Sequence, residues 1–143
     1  MISIKAKIDC CGCSACVQTC PKQCIRLEED NEGFLYPSVN KSLCVECGQC
    51  DNACPMLHGH EPQEPVGVYA ATNPDEGIRM QSSSGGIFSL IAENIIRQGG
   101  VVFGAAFNED WEVTHCFAET VDGIARFRGS KYVQSRTGTT YAE

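Results

Sequence analysis

The feature that most constrains this chain is a run of four cysteines that occurs twice. Each run has the spacing C-x2-C-x2-C-x3-C and is followed directly by a proline. Every cysteine of the second run lies 34 positions after its counterpart in the first. The runs are Cys10, Cys13, Cys16 and Cys20, then Cys44, Cys47, Cys50 and Cys54. So many closely spaced thiols indicate metal ligation, because thiolate is the soft donor that iron–sulfur clusters select.

The spacing resembles that of bacterial two-cluster ferredoxins, in which the fourth cysteine of each run ligates the other run's cluster. The resemblance implies two [4Fe–4S] clusters with crossed ligand sets. The prolines that follow, Pro21 and Pro55, fix φ and have no N–H, so they direct the backbone away from the clusters. One cluster is expected on Cys10, Cys13, Cys16 and Cys54, and the second on Cys44, Cys47, Cys50 and Cys20.

Two other uses of clustered cysteines fit the pattern less well. A zinc ribbon needs two C-x2-C pairs separated by a longer loop, whereas three evenly spaced cysteines and a C-P pair occur twice here. Disulfides need an oxidising compartment, and nothing in the sequence resembles a secretory signal. Free thiols together with clusters predict a cytoplasmic protein.

Several potential ligands lie outside the two sets. Cys11 adjoins the first ligand, but the C-x2-C spacing favours Cys10 over it. Cys24 and Cys116 are interpreted as small buried hydrophobic residues, which is how free cysteines often behave. Two histidines, His58 and His60, lie in a polar stretch and are interpreted as solvated.

Composition divides the chain in two. Ten of the 11 cysteines lie before residue 55, so we predict a ferredoxin-type domain at residues 1–61, a proline-containing linker at 62–65 and a second domain at 66–143. The net charge of the chain is −7, with five basic and nine acidic residues before residue 66, and six basic and nine acidic residues after it. This balance argues against a nucleic-acid partner and fits a redox partner protein or subunit with a basic docking face. No apolar stretch reaches the roughly 18 residues of a membrane span.

Hydrophobic periodicity predicts an α+β chain. The first domain is expected to begin with a strand at residues 1–9 and to contain a hairpin between the two cysteine runs. The second is predicted to contain strands at 66–71, 101–107 and 111–117, a helix from Ile87 to a Gly-Gly end, and a short helix after Thr120. The fully apolar strand at 101–107 is expected to be central. Thr140 and Glu143 resemble a capping box, so this domain is interpreted as a truncated α/β domain, and the chain as a fragment or a split subunit.

A serine–glycine stretch, residues 82–86, directly precedes the predicted helix. Free N–H groups at a helix N-terminus, together with hydroxyls, form an anion site that would fit the phosphate of a nucleotide or flavin. A plain serine-rich N-cap explains the same residues equally well. The stretch is neither a Walker A motif nor a G-x-G-x-x-G fingerprint, so it does not identify a nucleotide.

The order of these blocks resembles the coenzyme F420 hydrogenase/dehydrogenase beta-subunit family. The blocks are the two cysteine runs, then SSSGGIFSLIAENIIRQGGVVFGAAF, then FRGSKYVQS, and they cover nearly the whole chain. Family members are iron–sulfur flavoproteins that pass electrons between clusters and a flavin, and some oxidise or reduce F420. The resemblance implies a flavin site (FAD or FMN) that includes Ser83, Ser84, Gly85 and Gly86, and a flavin or deazaflavin site faced by Lys131, Tyr132 and Ser135. The longer C-terminal part of the family is absent from this sequence, so a complete active site is not expected in this chain alone.

We therefore expect an oxidoreductase fragment that relays electrons through two clusters to or from a flavin or F420 site. The alternative is a ferredoxin-like electron carrier whose residues 66–143 only dock partners and bind no flavin. The residues identify no catalytic side chain, and whether the chain by itself is an enzyme stays open.

Overall fold

The computed structural model describes residues 1–59 and 61–142. The chain forms two compact units: the first contains Met1–Gln63 and the segment that begins at Thr137, and the second contains Glu64–Arg136. Helices and small antiparallel sheets together confirm the α+β class. The segment from Thr137, which the sequence assigned to the second domain, makes its contacts with the first unit. The predicted solvation of His60 and the capping-box residue Glu143 lie outside the described residues.

The first unit is built around a hairpin between the two cysteine runs, as the sequence predicts. Strands β1 (Ile25–Glu29) and β2 (Leu35–Val39) are antiparallel, with Ile25 opposite Val39. Asp30 closes the turn, because its Oδ1 accepts the N–H groups of Glu32 and Phe34, each at 3.0 Å. The helices on either side of the hairpin are a 3-10 helix at Lys7–Asp9, α1 (Ala15–Gln18) and α2 (Gln49–Asn52).

The predicted strand at residues 1–9 is wrong. No strand forms there, and residues Lys7–Asp9 form the 3-10 helix instead. The alternation of apolar and polar side chains fits an extended segment that packs without a ladder partner. Ile2 is buried against the cysteines, and its N–H donates to Cys50 Sγ at 3.2 Å.

The 34-residue repeat of the sequence is repeated in the backbone. Gly12 and Ser14 have φ values of 66° and 56°, and their counterparts Glu46 and Gly48 have 52° and 76°. Left-handed backbone is uncommon for residues other than glycine, so its occurrence at both matched pairs shows that the loops of the two cysteine runs follow the same path. Ser14 and Gly48 then start the matched helices α1 and α2.

The second unit packs one longer helix beside a hairpin. Its helices are α3 (Glu76–Met80), α4 (Ile87–Arg97) and a 3-10 helix at Gly123–Phe127, and its strands are β3 (Val102–Phe107) and β4 (Val113–Ala118). Asp75 caps α3 by accepting the N–H of Ile78 at 2.9 Å, and Gly99, with φ 78°, follows the end of α4. The core of this unit contains Ala92, Ala106, Ala118, Ile124 and Phe127.

The structure changes two strand predictions for the second unit. The predicted strand at residues 66–71 is wrong: the described residues there form no ladder, and Val66, Val68 and Tyr69 are exposed. The strand predicted at residues 101–107 is present, but it pairs with β4 in a two-stranded sheet, so the expected central position is not found among the described residues. The short helix after Thr120 is confirmed, with Gly123 N–H donating to Thr120 Oγ1 at 3.1 Å.

Within the part of the chain that the structure describes, the helices are all too short or too polar to traverse a lipid bilayer.

Candidate functional site

Two cavities in the first unit are lined by the cysteines of both runs. Cavity 1 has about 350 Å³ of empty space, part of it open to solvent, and three cysteines of the first run line it together with Cys54 of the second. Its remaining wall is mostly apolar, with Ile2, Ile4 and Leu27. The four cysteines from the two runs that meet here are Cys10, Cys13, Cys16 and Cys54.

Cavity 2 has about 340 Å³ of empty space, part of it open to solvent, and its lining has the same arrangement as that of the first. Three cysteines of the second run line it together with Cys20 of the first, and its apolar wall includes Ile25, Val39 and Val45. Each fourth cysteine therefore lies in the cavity of the other run. The four cysteines are Cys44, Cys47, Cys50 and Cys20.

Local structure explains this exchange. Helix α1 carries Cys16, and helix α2 carries Cys50, in each case the third cysteine of its run. The helices pack against each other, so the chain that leaves each helix reaches the neighbouring cavity. Cys20 follows α1 in this way, and Cys54 follows α2.

The wall of cavity 1 suits cationic iron better than free thiolates. Burial raises the pKa of the Cys16 thiol to about 11 and also raises the pKa of Cys13. A bare thiolate is therefore disfavoured in cavity 1, whereas iron compensates the charge and holds the sulfur deprotonated. A [4Fe–4S] cube binds each thiolate at a separate iron, so ligands that enclose an apolar volume fit it. Among residues 1–59 and 61–142, no three His, Cys, Asp or Glu side chains converge on the position of a single metal ion.

Each cavity also has a fifth cysteine in its wall. Cys24 is 5% exposed, lines cavity 2, and has its Sγ 3.5 Å from that of Cys20. Its burial agrees with the interpretation of this residue as part of an apolar shell. Cys11 is exposed and lines cavity 1. In the second unit, Cys116 packs partly buried against the core.

The segment from Thr137 contacts the cysteine loop that lines cavity 1, and this contact was not predicted from the sequence. Thr137 Oγ1 donates to the carbonyl oxygen of Cys13 at 3.2 Å and also hydrogen-bonds to the Ser14 hydroxyl. Both hydroxyl-bearing residues are buried. Further along, the Tyr141 N–H donates to Gln18 Oε1 at 3.1 Å. The residues involved are more than 120 positions apart in the sequence, so no local pattern marks them.

A third pocket lies in the second unit, where the serine–glycine stretch meets the loop after the last 3-10 helix. We call it the serine–glycine pocket; it contains about 780 Å³ of empty space, part of it open to solvent. The start of α4 forms one wall. Its lining residues are Ala71, Ser82, Ser83, Ser84, Gly85, Gly86, Ile87, Phe88, Phe127, Arg128, Gly129 and Ser130.

Gly85 and Gly86 in this pocket are required by close packing and by a left-handed backbone, whatever the pocket binds. A Cβ at Gly85 would lie 2.7 Å from the carbonyl oxygen of Ala71, and Gly86 has φ 74°. Asn73, which is 2% exposed, donates its N–H to Gly85 O at 2.6 Å and its Nδ2 to Gly86 O at 3.1 Å. Asn73 therefore fixes the loop, although in sequence it looks like an ordinary turn residue before Pro74.

Arg128 is a wall residue that no sequence pattern singled out. Its Nε donates to Ser89 Oγ at 2.9 Å, and its Nη1 donates to Gln81 Oε1 at 3.0 Å. Ser89 is fully buried on α4. The guanidinium is thus held between two helices at the wall of the pocket. In the sequence, the available signal for Arg128 was its position directly after an aromatic residue, Phe127. The fold is needed to show that Arg128 faces α4.

The residues implied by the family resemblance divide into two groups. The four at 83–86 line the pocket, whereas Lys131, Tyr132 and Ser135 do not. Lys131 Nζ donates to the carbonyls of residues 126, 128 and 129 at 2.9–3.1 Å, and burial lowers its pKa. Tyr132 is 93% exposed, and Ser135 Oγ is 2.8 Å from the Nδ1 of His115. Direct cofactor contacts by these three residues stay predictions.

Comparisons with known proteins match both units. A family model described as a 4Fe-4S dicluster domain matches residues 9–57. A second, described as coenzyme F420 hydrogenase/dehydrogenase, beta subunit N-term, matches residues 68–139, which is half of the chain.

Two relatives also match the chain. One is a subunit of the F(420)H(2) dehydrogenase of Methanosarcina mazei, which is 26% identical over 132 residues that cover 86% of this chain and 38% of that protein. A protein described as ferredoxin 7Fe, from Hydrogenibacillus schlegelii, is 37% identical over 43 residues, covering 30% of this chain and 49% of that protein. The chain thus spans less than half the length of either relative that it matches.

Proposed function

Because the chain belongs to the coenzyme F420 hydrogenase/dehydrogenase beta-subunit family, we propose that it relays electrons through two [4Fe–4S] clusters to or from a flavin. The observation that carries the proposal is the pair of cavities, each lined by three cysteines of one run and the fourth cysteine of the other. Iron–sulfur cubes supply one-electron transfer when bound, and the match of residues 9–57 to a family model for a 4Fe-4S dicluster domain supports the proposal.

In this proposal the thiolates of each cavity hold one cube. Cys10, Cys13, Cys16 and Cys54 ligate the cube of cavity 1, and Cys44, Cys47, Cys50 and Cys20 that of cavity 2. The apolar walls limit access of water and so influence the reduction potential, which depends on solvent exposure. The N–H of Ile2 already donates to Cys50 Sγ, and hydrogen bonds to ligand sulfur are a second influence on the potential.

The serine–glycine pocket is the proposed flavin site. A flavin exchanges single electrons for hydride equivalents, which is the conversion that a relay between clusters and F420 requires. One wall of the pocket is formed by Ser83, Ser84, Gly85 and Gly86. In this proposal these residues bind and orient the flavin. The identity of the flavin, FAD or FMN, and use of F420 by the complete protein are inferred from the family and from the name of the Methanosarcina mazei relative.

Lys131 is proposed to act on this site through the backbone. Its ammonium group is occupied by three carbonyls of the loop that forms the opposite wall, so it holds the loop rather than the cofactor. Tyr132 and Ser135 are proposed to contribute to the F420 side of the site or to contact a partner subunit. The named relative is itself a subunit, and a redox partner protein or subunit is the proposed electron donor or acceptor.

The deciding experiment is anaerobic cluster reconstitution followed by cofactor analysis. We expect about eight iron and eight sulfide per chain, corresponding to two cubes, and stoichiometric binding of added FMN or FAD in calorimetric titrations. The iron and sulfide contents test the two clusters, and a single four-iron complement would contradict the crossed pair.

The alternative, an electron carrier without flavin, shares the clusters but not the pocket chemistry. A cluster-loaded, folded protein that binds neither FMN nor FAD would favour the carrier and end the flavin proposal. The variant Gly85→Ala provides a matched test, because its Cβ would displace the loop at Ala71 O. It should reduce flavin binding while leaving the iron and sulfide contents unchanged, since Gly85 lies in the second unit.

A further inference from the structure

The serine–glycine pocket has a single charged side chain in its described wall, Arg128. The other lining residues are small, hydroxylated or apolar, and none is acidic. Among residues 1–59 and 61–142, Arg128 has no carboxylate partner, and its side chain donates only to the neutral oxygens of Ser89 and Gln81. The wall of the pocket therefore carries a positive charge that the described protein does not compensate.

The position of Arg128 is fixed from both sides of the pocket. Ser89 is 0% exposed on α4 and Gln81 follows α3, so two helices orient the guanidinium. Phe127, directly before it, is buried, and the loop is held in place because Lys131 Nζ donates to the carbonyl of Arg128 itself. A side chain that is already ordered loses little conformational entropy when a ligand binds.

The remaining donors of Arg128 suit a phosphate group. Arginine has five N–H donors in a planar fork, and Ser89 and Gln81 use two of them. The others can form the bidentate, charge-assisted pair that arginine makes with phosphate oxygens. The first turn of α4, which no side chain caps, and the exposed hydroxyls of Ser83 and Ser84 lie in the same wall. These neutral donors complement an anion already attracted by Arg128.

We propose that Arg128 binds the phosphate ester of the ligand in the serine–glycine pocket. Under the proposed function, on which the ligand's identity rests, this is the phosphate of the flavin. The isoalloxazine ring itself carries no phosphate, so Arg128 contributes to affinity for phosphorylated flavins and not for riboflavin. Ser89 acts as a positioning residue for the guanidinium.

The test compares FMN with riboflavin, which differ by the phosphate. Calorimetric titrations are performed on the cluster-loaded chain, on Arg128→Gln, on Arg128→Lys and on Arg97→Gln. Arg97 is a matched control, because it loses the same charge on the exposed end of α4, where it pairs with Glu93. Arg128→Gln should bind FMN about tenfold or more weakly, since hydrogen bonds to charged groups are strong, and should bind riboflavin as the wild type does. Arg128→Lys should be intermediate, and Arg97→Gln unchanged.

Two results would overturn the role of Arg128: an unchanged affinity for FMN in Arg128→Gln, or an equal loss for FMN and riboflavin. Hydrogen exchange in α4 and β3 checks that the variants are folded. If Arg128→Gln does not fold, the test uses Arg128→Lys, which retains the charge.

A second probe separates this inference from the proposed function. If the wild type binds neither flavin, the flavin function fails, and inorganic pyrophosphate then decides the anion site. Saturable pyrophosphate binding that is lost in Arg128→Gln and kept in Arg97→Gln supports the phosphate site. Absence of pyrophosphate binding in the wild type overturns it.

Discussion

Gly48 occupies the turn between Cys47 and Cys50 of the second run, where its φ is 76°. It lines cavity 2, and a Cβ added there would meet no atom of the protein within 4 Å, so within the protein Gly48→Ala should act through the backbone. Left-handed backbone costs an L-residue roughly 1–2 kcal/mol, and we expect a loss of about 1 kcal/mol in the free energy of unfolding of the cluster-loaded protein. Anaerobic thermal unfolding measures it.

Gly59 supplies the matched control for this prediction. Its φ is not positive, and a Cβ there also meets nothing within 4 Å. Gly59→Ala should therefore leave the melting temperature unchanged. Equal effects of the two substitutions would show that the left-handed turn at Gly48 does not contribute to stability.

The exchange of fourth ligands can be tested at Cys20. Its neighbour Cys24 provides a thiol only 3.5 Å away, so the two are replaced together as Cys20→Ser/Cys24→Ser. We expect loss of about half of the iron and sulfide, because one of two cubes loses a ligand. The electron paramagnetic resonance spectrum of the remaining cube should match that of Cys50→Ser. Cys24→Ser alone should keep both cubes. A spectrum that matches Cys10→Ser instead would contradict the crossed ligand sets.

At the scale of elements, the segment from Thr137 supports the cysteine loop that lines cavity 1. Thr137→Val keeps the shape of the side chain but removes its hydrogen bonds to Cys13 O and Ser14. Each such bond contributes about 1 kcal/mol, so the loop should open more often and the cube of cavity 1 should be lost several-fold faster in air. Time courses of iron release measure the effect. Thr72→Val, an exposed threonine of the second unit, is the control, and identical rates for the two variants would refute the role of the segment.

The contact between β3 and the last 3-10 helix positions one wall of the serine–glycine pocket. A Cβ at Gly104 would lie 2.7 Å from the ring of Phe127, and Phe127 also meets Phe88 edge-on at 6.5 Å. Gly104→Ala should destabilise the second unit by about 1–3 kcal/mol, as overpacking usually does.

A double-mutant cycle assigns this cost to its cause. Phe127→Leu leaves more room at Gly104, so the double variant Gly104→Ala/Phe127→Leu should be less unstable than the sum of the single changes. Denaturant unfolding measures the three free energies. Additive losses would mean that the strain at Gly104 arises elsewhere.

Across the whole molecule, local patterns predicted most of the helices and hairpins, whereas the expected exchange of fourth cysteines, which is long-range, came from the ferredoxin resemblance and not from a local pattern. The cysteine spacing within each run lies in one loop, and the isoleucines of α4 lie on one helix. Because each pattern is local, it is visible in the sequence. A strand at 66–71 also matches a local pattern, but a strand needs a ladder partner, and the described chain supplies none there. Arg128 meets Ser89 across 39 positions and Thr137 meets Cys13 across 124. Only folding brings such residues together, which explains why the wall of the pocket was predicted in part.

The two units also differ in what their cores are made of. The core of the first contains Ile2 and Ile25 together with three cysteines, Cys24, Cys50 and Cys54. The core of the second contains Ile124 and Phe127 with three alanines. Small units bury too little apolar surface to be stable without help, and the first unit places thiols around two cavities where hydrocarbon would otherwise be packed. Its folding should therefore depend on the clusters, whereas that of the second should not.

Cluster removal tests this difference directly. Treatment with an iron chelator under reducing conditions should abolish amide hydrogen-exchange protection in β1, β2 and α2, because metal binding energy is folding energy in such units. Protection in α4, β3 and β4 should persist, since their core contains no expected ligand. Reconstitution with iron and sulfide is the control and should restore the lost protection. Protection of β1 and β2 that survives complete iron removal would show that the hydrocarbon part of this core, Ile2 and Ile25 above all, is sufficient to hold the hairpin.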